Sequence, residues 1–323
     1  MRGFRSATFQ QKRPGSPATV VGLAVLALLS VASMLSAMSP LGWPFELFVH
    51  FRPQYVVASM LVATLLAWLR RWRPAAVALT LAAFHAWPVV PSSEAGAAGV
   101  ACEGPGLTVA TVNLWFRNPD PGALVSWLAS GPADLVVLQE VTDDWAGALV
   151  RLSDEYPYQW LLPRQDAYGI GVISRHPLDT ASVDLAGDGL PSLAGSVEID
   201  GRRLRFIGLH TRWPVLPGLA RYRDAALFGA ADQMRAGDTP AVLLGDLNLS
   251  PDAARYEQLL DRGGLQDVFP RRAWQPTWMT GFWPLALRID HVLVSGGLCV
   301  EEARIGPDVG SDHRPVISRL KLR

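Results

Sequence analysis

The feature that most constrains this chain is an uncharged apolar run near its start. The run TVVGLAVLALLSVASMLSAM, Thr19 to Met38, has no charged residue, and four basic residues precede it. About 20 apolar residues form a helix long enough to cross the ~30 Å hydrocarbon core of a bilayer. A cleaved signal peptide also begins with basic residues, but its apolar core usually has only ~7–15 residues. The run therefore predicts a membrane-spanning helix.

Two further apolar stretches follow in the first 90 residues. They are Tyr55–Leu69, which the basic sequence RRWR closes at Arg70–Arg73, and Pro74–Val90. Because basic residues favour the cytoplasmic side of a membrane, the N-terminal cluster and RRWR are both expected inside. Three spans then place the loop 39–53 and everything after the third stretch outside the cytoplasm. We expect a multi-pass cell-membrane anchor at 1–90 and an extracytoplasmic domain after it.

Charge divides the chain into two unlike parts. Residues 1–90 hold eight Lys/Arg and one acidic residue, whereas residues 91–323 hold 21 Lys/Arg and 28 acidic residues, a net charge of −7. An acidic domain is a poor match for DNA, because neutralisation of phosphates by Lys/Arg supplies most of the affinity. Cys102 and Cys299 form no C-x-x-C pair, which argues against a cysteine zinc site. In an oxidising compartment the two could instead form a disulfide.

The C-terminal part alternates between β-prone runs and helix-like stretches. Before it, the small-residue segment 91–106 has the composition of a linker. Runs such as ADLVVLQE and PAVLLGDLN are continuously apolar, which is typical of strands that are buried on both faces. PGALVSWLAS and RYRDAALFGAADQMRA have apolar residues at helical spacing. The alternation predicts a layered α/β domain over 107–323.

Polar side chains recur where these strands begin or end. One such residue is usually part of a turn, but carboxylates, amides and histidines at many strand ends together predict a site. The candidates are Asn113, Glu140, His210, Asp246, Asn248, Asp290, Asp312 and His313. Mg²⁺ prefers oxygen ligands and keeps several waters, so one or two carboxylates suffice to hold it. The set predicts metal-assisted hydrolysis of a phosphate ester.

The chemistry of these side chains suggests how the work is divided. Asp246 can orient or deprotonate the attacking water, while Asn113 and Asn248 can donate hydrogen bonds without adding negative charge near a phosphate. His313 can donate to a phosphoryl oxygen, and Asp290 can hold its tautomer and support its positive form. The pattern therefore favours catalysis over a purely structural role for these residues.

The order of the motifs resembles that of the endonuclease/exonuclease/phosphatase superfamily. N-L-W, Q-E, G-x-G-x-x-S-R, L-H-T, G-D-L-N, I-D-H-V and S-D-H-R-P follow one another over about residues 107–323. The combination of GDLN with SDHRP near the end of the chain is the specific part of this signal. The resemblance implies a four-layer sandwich of two packed mixed β-sheets flanked by helices, here preceded by three transmembrane helices. The cofactor to expect is Mg²⁺, with Mn²⁺ as a substitute.

The resemblance also implies roles for the metal and water sites. Glu140 is similar to the principal metal ligand of the family, with Asn113 and Asp312 completing that neighbourhood. Asp246 is similar to the residue that positions the water, with Asn248 beside the phosphate.

The resemblance assigns the histidines as well. Asp290 and His313 look like the Asp–His pair of the family. His210 is similar to a second catalytic histidine of the DNase I-like and sphingomyelinase-like branches, where it contacts phosphate or assists the leaving group. Asp166 is the candidate carboxylate to orient it.

Substrate contacts are expected around these motifs. Arg175 and Arg212 stand beside motif positions and are candidates for phosphate binding, with solvated surface as the alternative. The loops Thr211–Leu219 and Trp278–Leu287 adjoin the catalytic ends of strands, where an exposed apolar patch marks a binding surface and tryptophan suits the lipid–water interface. We expect a lipid-facing rim there, with packing onto the domain as the alternative. Its members are Trp213, Leu216, Phe282, Trp283 and Leu285.

Three functions are compatible with these observations. The anchor and domain together are similar to a bacterial membrane-bound branch that includes teicoplanin-resistance proteins, which implies a phosphohydrolase acting on a lipid-linked phosphate or polyprenyl pyrophosphate of the cell envelope. The second is an extracytoplasmic endonuclease or phosphodiesterase acting on nucleic acid, against which the charge of −7 argues. The third is a membrane sensor on a degenerate fold, against which the completeness of the site argues.

Overall fold

The computed structural model describes residues 16–86, 102–118, 120–270 and 274–322. The chain divides into two compact units, Met1–Met34 with Arg52–Trp87 and Leu35–Phe51 with Pro88–Arg323. The segment between the first two helices thus belongs to the second unit, whereas the sequence prediction included it in the anchor. Most of the predicted linker, and the end of the third apolar stretch, lie outside the described residues.

The three apolar stretches of the sequence are helices in the first part of the chain. Helix α1 (Pro17–Ala37) has 21 residues and a mean hydropathy of 2.3, and it is the one helix in the described ranges long and apolar enough to cross a membrane. Helices α2 (Arg52–Trp68) and α3 (Trp72–Ala86) have 17 and 15 residues. Both fall short of the ~20 residues of an ordinary span. Three transmembrane helices were predicted, and the structure supports one candidate.

The first sheet contains strands from both ends of the domain. Its order is β11-β12-β1-β2-β4-β3, with β1 and β2 parallel and the other pairs antiparallel. The strands are β1 (Gly106–Asn113), β2 (Leu135–Gln139), β3 (Tyr158–Leu162), β4 (Ile170–Ser174), β11 (Leu298–Ile305) and β12 (Val316–Leu322).

The second sheet has the same number of strands and the same mixed pattern. Its order is β5-β6-β7-β8-β10-β9, with β7 and β8 parallel and the other pairs antiparallel. The strands are β5 (Leu178–Val183), β6 (Ser192–Ile199), β7 (Arg202–His210), β8 (Ala241–Asp246), β9 (Leu265–Asp267) and β10 (Asp290–Ser295).

The two sheets pack face to face, and helices cover their outer faces. Val137 and Val172 of the first sheet share one buried apolar cluster with Phe206 and Val242 of the second. Helices α6 (Pro217–Arg235) and α7 (Ala254–Gly263) supply apolar residues to a cluster on the outer face of the second sheet. Helices α4 (Gly122–Ala129) and α5 (Asp143–Leu149) do the same on the first sheet. The sandwich of two mixed sheets flanked by helices, predicted from the resemblance, is confirmed.

A disulfide joins the start of this domain to β11. Cys102 and Cys299 are bonded, with their Cα atoms 5.9 Å apart, inside the ordinary range for disulfides. The pairing, which sequence separation alone left open, ties the segment entering β1 to an edge strand of the first sheet.

Candidate active site

The polar strand ends meet at one edge of the sandwich because of the strand directions. Asn113 pairs with Gln139 in the parallel register of β1 and β2, and His210 pairs with Asp246 in that of β7 and β8. Asp290 begins the antiparallel strand β10 and stands directly opposite Asp246. The carboxyl ends of two parallel pairs, one from each sheet, are therefore brought together with the amino end of β10.

Asn113 connects the carboxylates of the two sheets. Its side chain is fully buried and donates from Nδ2 to Glu140 Oε1 at 2.9 Å and to Asp246 Oδ2 at 3.2 Å. The other oxygen of Glu140 accepts a hydrogen bond from the backbone N–H of Phe116 at 2.8 Å. The Ser311 hydroxyl donates to the backbone carbonyl of Asn113 at 2.7 Å. One neutral amide thus orients a carboxylate from each sheet without adding charge.

His313 lies between three carboxylates. Its Nδ1 is 2.8 Å from Asp290 Oδ2, while its Nε2 lies 3.9 Å from Asp246 Oδ2 and 4.0 Å from Asp312 Oδ1. The hydroxyl of Thr277 accepts the backbone N–H of Asp290 at 3.1 Å. Because Asp290 engages Nδ1, the Nε2 atom is the ring nitrogen that faces the other acids.

The charges of this group shift one another strongly. Burial by itself lowers the pKa of His313, but the neighbouring carboxylates, Asp290 foremost, outweigh burial and raise that pKa to about 10. Burial, followed by repulsion from Asp290, raises the pKa of Asp246 to about 6. Burial also raises the pKa of Asp312. His313 is therefore an imidazolium at neutral pH, with a proton on each ring nitrogen.

His210 lies on the other side of Asp246. Its Nε2 is 3.5 Å from Asp246 Oδ2, and its ring packs 5.4 Å from that of Tyr168. Its Nδ1 is buried and has no hydrogen-bond partner in the described part of the chain. Asp166, the candidate orienter, is instead held by Arg164 through two hydrogen bonds of 2.8 and 2.7 Å. The expectation that Asp166 orients His210 is therefore corrected, because the salt bridge with Arg164 holds its carboxylate.

The local backbone structure explains why glycine and asparagine occupy their positions in the sequence GDLN. Gly245 has φ +151°, and a Cβ atom there would lie 1.8 Å from the Leu209 carbonyl oxygen, so only glycine lets β8 approach β7 this closely. Asn248 has φ +47°, in the left-handed region that asparagine tolerates. Its backbone N–H donates to Asp246 Oδ1 at 2.9 Å, and its Nδ2 donates to the Thr211 carbonyl at 3.0 Å. The turn thereby orients the Asp246 carboxylate.

The donor set fits a hard divalent cation. Ligand atoms of Asp246, Asp290 and His313 lie within 4.8 Å of one another, and because the His313 ring carries a proton on each nitrogen, the carboxylates of this group are the atoms that could hold a cation. Oδ1 of Asp290 and Oδ1 of Asp312 are buried and, among the described residues, have no hydrogen-bond partner. Buried carboxylate oxygens need such compensation, and a cation with a preference for oxygen supplies it. Glu140, with a strained positive φ of 61°, lies beside this group through Asn113. The site is a candidate metal centre.

Two contributors to the site were not expected from the sequence. Trp278 donates from Nε1 to Asp312 Oδ2 at 3.2 Å, and its backbone bridges to His313. The Thr277 hydroxyl receives the backbone N–H groups of Ile289 and Asp290. Trp278 begins the loop that the sequence places beside the catalytic ends of the strands, but nothing local in this stretch signals contact with Asp312 or His313.

The two candidate arginines lie in different places relative to the site. Strand β4 runs antiparallel to β2, so Ser174 pairs with Leu135, at the other end of β2 from Gln139. Arg175 follows Ser174 and therefore lies at the edge of the sheet far from the site. There Arg175 lies 3.5 Å from Asp134, away from the site. Arg212 remains at the margin of the site, where it donates to Asp188 at 2.7 Å and lies 4.9 Å from the ring of Tyr168.

The five apolar residues expected at the rim are exposed. Trp213 follows His210 closely in the chain, and Phe282 and Trp283 follow Trp278, which touches Asp312. The exposed fractions are Trp213 60%, Leu216 59%, Phe282 54%, Trp283 43% and Leu285 39%. Apolar side chains therefore project into solvent from both loops that leave the site.

This arrangement, two mixed sheets with acids, amides and histidines at their joint edge, defines a phosphoester hydrolase. Residues 110–313 match the model of the Endonuclease/Exonuclease/phosphatase family, and the chain belongs to this family. Members of the family hydrolyse phosphoester bonds and depend on divalent metals. The resemblance drawn from the motifs is confirmed at this level.

Solved structures share the fold at low sequence identity. An endonuclease/exonuclease/phosphatase from Beutenbergia cavernae DSM 12333 is 22% identical, with TM-score 0.55 over 68% of this chain and 72% of that one. D. rerio TDP2 complexed with a single-strand DNA product is 17% identical, with TM-score 0.56 over 67% and 98%. Sphingomyelinase C from Streptomyces griseocarneus is 20% identical, with TM-score 0.50 over 67% and 99%. No curated protein matches in sequence.

Proposed function

We propose that this protein is a membrane-anchored, Mg²⁺-dependent phosphohydrolase that acts outside the cytoplasm on a lipid-linked phosphate ester or pyrophosphate, such as a polyprenyl pyrophosphate. The observation that carries the hydrolytic part is the bridge from Asn113 to Glu140 and Asp246, next to the buried Asp290–His313 pair. Hydrolysis requires an oriented water and neutralised phosphate oxygens, and this group of side chains can provide both.

In the proposed mechanism each residue has a separate task. Glu140, Asn113 and Asp312 would hold the Mg²⁺ ion, which supplies Lewis-acid stabilisation of the phosphate oxygens when bound. Asp246 orients the attacking water and takes its proton, and the backbone N–H of Asn248 fixes that carboxylate.

The histidines stabilise and complete the displacement. His313 donates from Nε2 to a phosphoryl oxygen, while Asp290 holds its other nitrogen. The water oxygen bonds to phosphorus, and the bond from phosphorus to the leaving oxygen breaks. We assign protonation of that leaving oxygen to His210, whose Nε2 lies 3.5 Å from Asp246 Oδ2.

The membrane location rests on the first helix and the disulfide. Helix α1 is uncharged over its 21 residues, and α2 and α3 share a buried apolar cluster with it, so we include them in the anchor. The bond between Cys102 and Cys299 supports a domain outside the cytoplasm, because disulfides persist in oxidising compartments. The basic residues before α1 support a cytoplasmic N-terminus.

The lipid substrate is supported by the exposed rim. Trp213, Phe282 and Trp283 project from loops at the site, and aromatic side chains of this kind favour a lipid–water interface. The acidic charge of residues 91–323, −7, disfavours nucleic acid. A substrate such as polyprenyl pyrophosphate would place the protein with the teicoplanin-resistance branch and connect it to antibiotic resistance.

A substrate panel tests the proposal. Full-length protein in detergent or vesicles, with Mg²⁺, is assayed on undecaprenyl pyrophosphate, sphingomyelin, phosphatidylinositol phosphates, single-stranded DNA and plasmid DNA, with Asp246→Asn as the inactive control. We expect the wild type alone to hydrolyse a lipid substrate, with release of phosphate, or of phosphocholine in the case of sphingomyelin. Cleavage of DNA without turnover of any lipid would overturn the lipid assignment in favour of a nuclease.

A further inference from the structure

The segment between α1 and α2 packs into the catalytic domain. Leu35–Phe51 belongs to the same compact unit as the sandwich, and it contains the short 3-10 turns Ser39–Leu41 and Phe45–Phe51. Val49 is 1% exposed and lies in the apolar cluster that also contains Leu247 and Leu249. The segment therefore contributes to the core beneath the loop that follows Asp246.

A buried ion pair fixes the middle of this segment. Glu46, the sole acidic residue of the first 90, is 2% exposed and pairs with Arg223 of α6, which is 1% exposed. Arg223 also pairs with Asp224, and Asp224 pairs with Arg255 of α7. Removing one partner of such a pair leaves an uncompensated buried charge, so the pair ties the segment to the outer helices.

The end of the segment contacts the catalytic loop itself. His50 Nδ1 lies 2.8 Å from the hydroxyl of Ser250, and both residues are buried. Ser250 ends the loop 247–250, which begins directly after Asp246 and includes Asn248. From β10, His291 Nε2 donates to the Leu249 carbonyl at 2.8 Å. Two buried histidines, one of them from the interhelical segment, thus hold consecutive residues of this loop.

The position of this loop decides the orientation of the reactive carboxylate. The backbone N–H of Asn248 donates to Asp246 Oδ1, and Ser250 is only two residues further along the chain. A shift of Ser250 would move that N–H group and rotate the carboxylate. Displacements of about 1 Å can cost on the order of 100-fold in rate, so a contact at Ser250 bears on catalysis beyond the area it buries.

We propose that His50 is a positioning residue. Through its contact with Ser250 it fixes the position of the catalytic loop 247–250, so the segment Leu35–Phe51 contributes to catalysis by the hydrolase domain. The inference rests on the proposed hydrolytic function only for the reaction used to measure it. It predicts that breaking the contact lowers turnover more than substrate affinity.

Kinetics of the full-length protein in detergent, on a soluble phosphate ester, test the contact. His50→Ala and Ser250→Ala should each lower kcat by roughly 10- to 100-fold with little change in KM. The double variant should lose no more than the worse single variant, because both remove one interaction. His50→Asn, which retains a hydrogen-bonding group at the position of Nδ1, should restore most of the lost kcat.

A matched core variant separates positioning from stability. Leu128→Ala removes a fully buried side chain of α4 on the other sheet, so it should lower the melting temperature and leave kcat of the folded protein unchanged. Full kcat in His50→Ala, measured below its melting temperature, would overturn the proposal. So would losses in His50→Ala that His50→Asn shares equally.

Two activity-independent measurements distinguish this inference from the proposed function. In His50→Ala, hydrogen exchange in a peptide covering 246–253 should accelerate, and Mn²⁺ affinity should weaken, while exchange in β3 stays unchanged. If the wild type turns over no phosphoester, the proposed function fails and these measurements still decide the role of His50. Unchanged exchange and Mn²⁺ affinity would reject that role.

Discussion

His313 and Asp290 form a hydrogen-bonded pair that links the two sheets: Nδ1 lies 2.8 Å from Oδ2, yet His313 leads into β12 and Asp290 begins β10. This pair can therefore form only when the two sheets pack on each other. The packing of the two sheets therefore determines the position of the His313 Nε2 donor.

Asp290→Asn should test this pair directly. The amide has the shape of the carboxylate but removes the charge that raises the His313 pKa, so the imidazolium loses its stabilisation. We expect kcat to fall on the order of 100-fold at neutral pH. The melting temperature serves as the control, and wild-type turnover in a folded Asp290→Asn protein would refute the role of the pair.

Metal removal should abolish activity reversibly. EDTA should stop hydrolysis, and Mg²⁺ or Mn²⁺ should restore it, because buried carboxylate oxygens at the site require a cation. Glu140→Gln and Asp246→Asn should each cost at least about 100-fold in kcat. Full activity of either variant would show that the strand-end residues have another purpose.

The rim should affect lipid substrates alone. A Phe282→Ser, Trp283→Ser double variant should lose activity on a lipid phosphate in vesicles and keep it on a short soluble ester. Trp160→Ser is the matched control, since Trp160 on β3 has a similar exposure of 42%. Equal losses on both substrates, or a large drop in melting temperature, would leave only a packing role for the rim.

Reporter fusions should establish the topology. A reporter that is active only outside the cytoplasm should be active when fused after Arg323 and inactive when fused at Arg73, because RRWR is expected inside. Silence of the Arg323 fusion would place the site in the cytosol and contradict the reading of Cys102–Cys299 as a disulfide of an oxidising compartment.

Mild acid should destabilise the protein partly through His50. Burial, assisted by Arg223, lowers the pKa of His50 to about 3, below its unfolded value near 6.5. The unfolded chain then binds the extra proton between these values, so stability falls as pH drops below about 6.5. At about pH 5.5 this protonation lowers the free energy of unfolding by roughly 1 kcal/mol. His50→Asn, which cannot titrate, should show a smaller decrease in melting temperature than the wild type between about pH 7.5 and pH 5.5. Equal decreases would contradict this origin.

The sequence predicted which residues lie close together where a polar side chain ends or directly follows an apolar strand, while the roles of these residues stay predictions. Asn113, Glu140 and Asp246 each follow such a run, and parallel pairing brings their strand ends together. It failed for Arg175, because a motif does not reveal strand direction, and the antiparallel course of β4 carries this arginine to the far end. It placed the loop that begins at Trp278 near the site but did not predict the contacts of Trp278 with Asp312 and His313, which join chain segments far apart in sequence.

The segment between α1 and α2 illustrates the same limit. Hydropathy predicted that the segment between α1 and α2 is a connecting loop. Nothing in the composition of this segment predicts that Glu46 pairs with Arg223. A buried partner on a helix that begins at residue 217 is a property of the folded chain. Local patterns predict elements and strand ends well, but they do not predict which distant surfaces close over one another.

The docking of Leu35–Phe51 also imposes a parity rule on the membrane topology. A segment that precedes α2 and a domain that follows α3 belong to one compact unit, so under the proposed membrane anchor both would lie on the same side of the bilayer. Between them the chain can therefore cross an even number of times only. Helices α2 and α3 cross together or not at all, whatever their lengths. If α1 spans the membrane as proposed, the total is therefore three crossings or one, and never two.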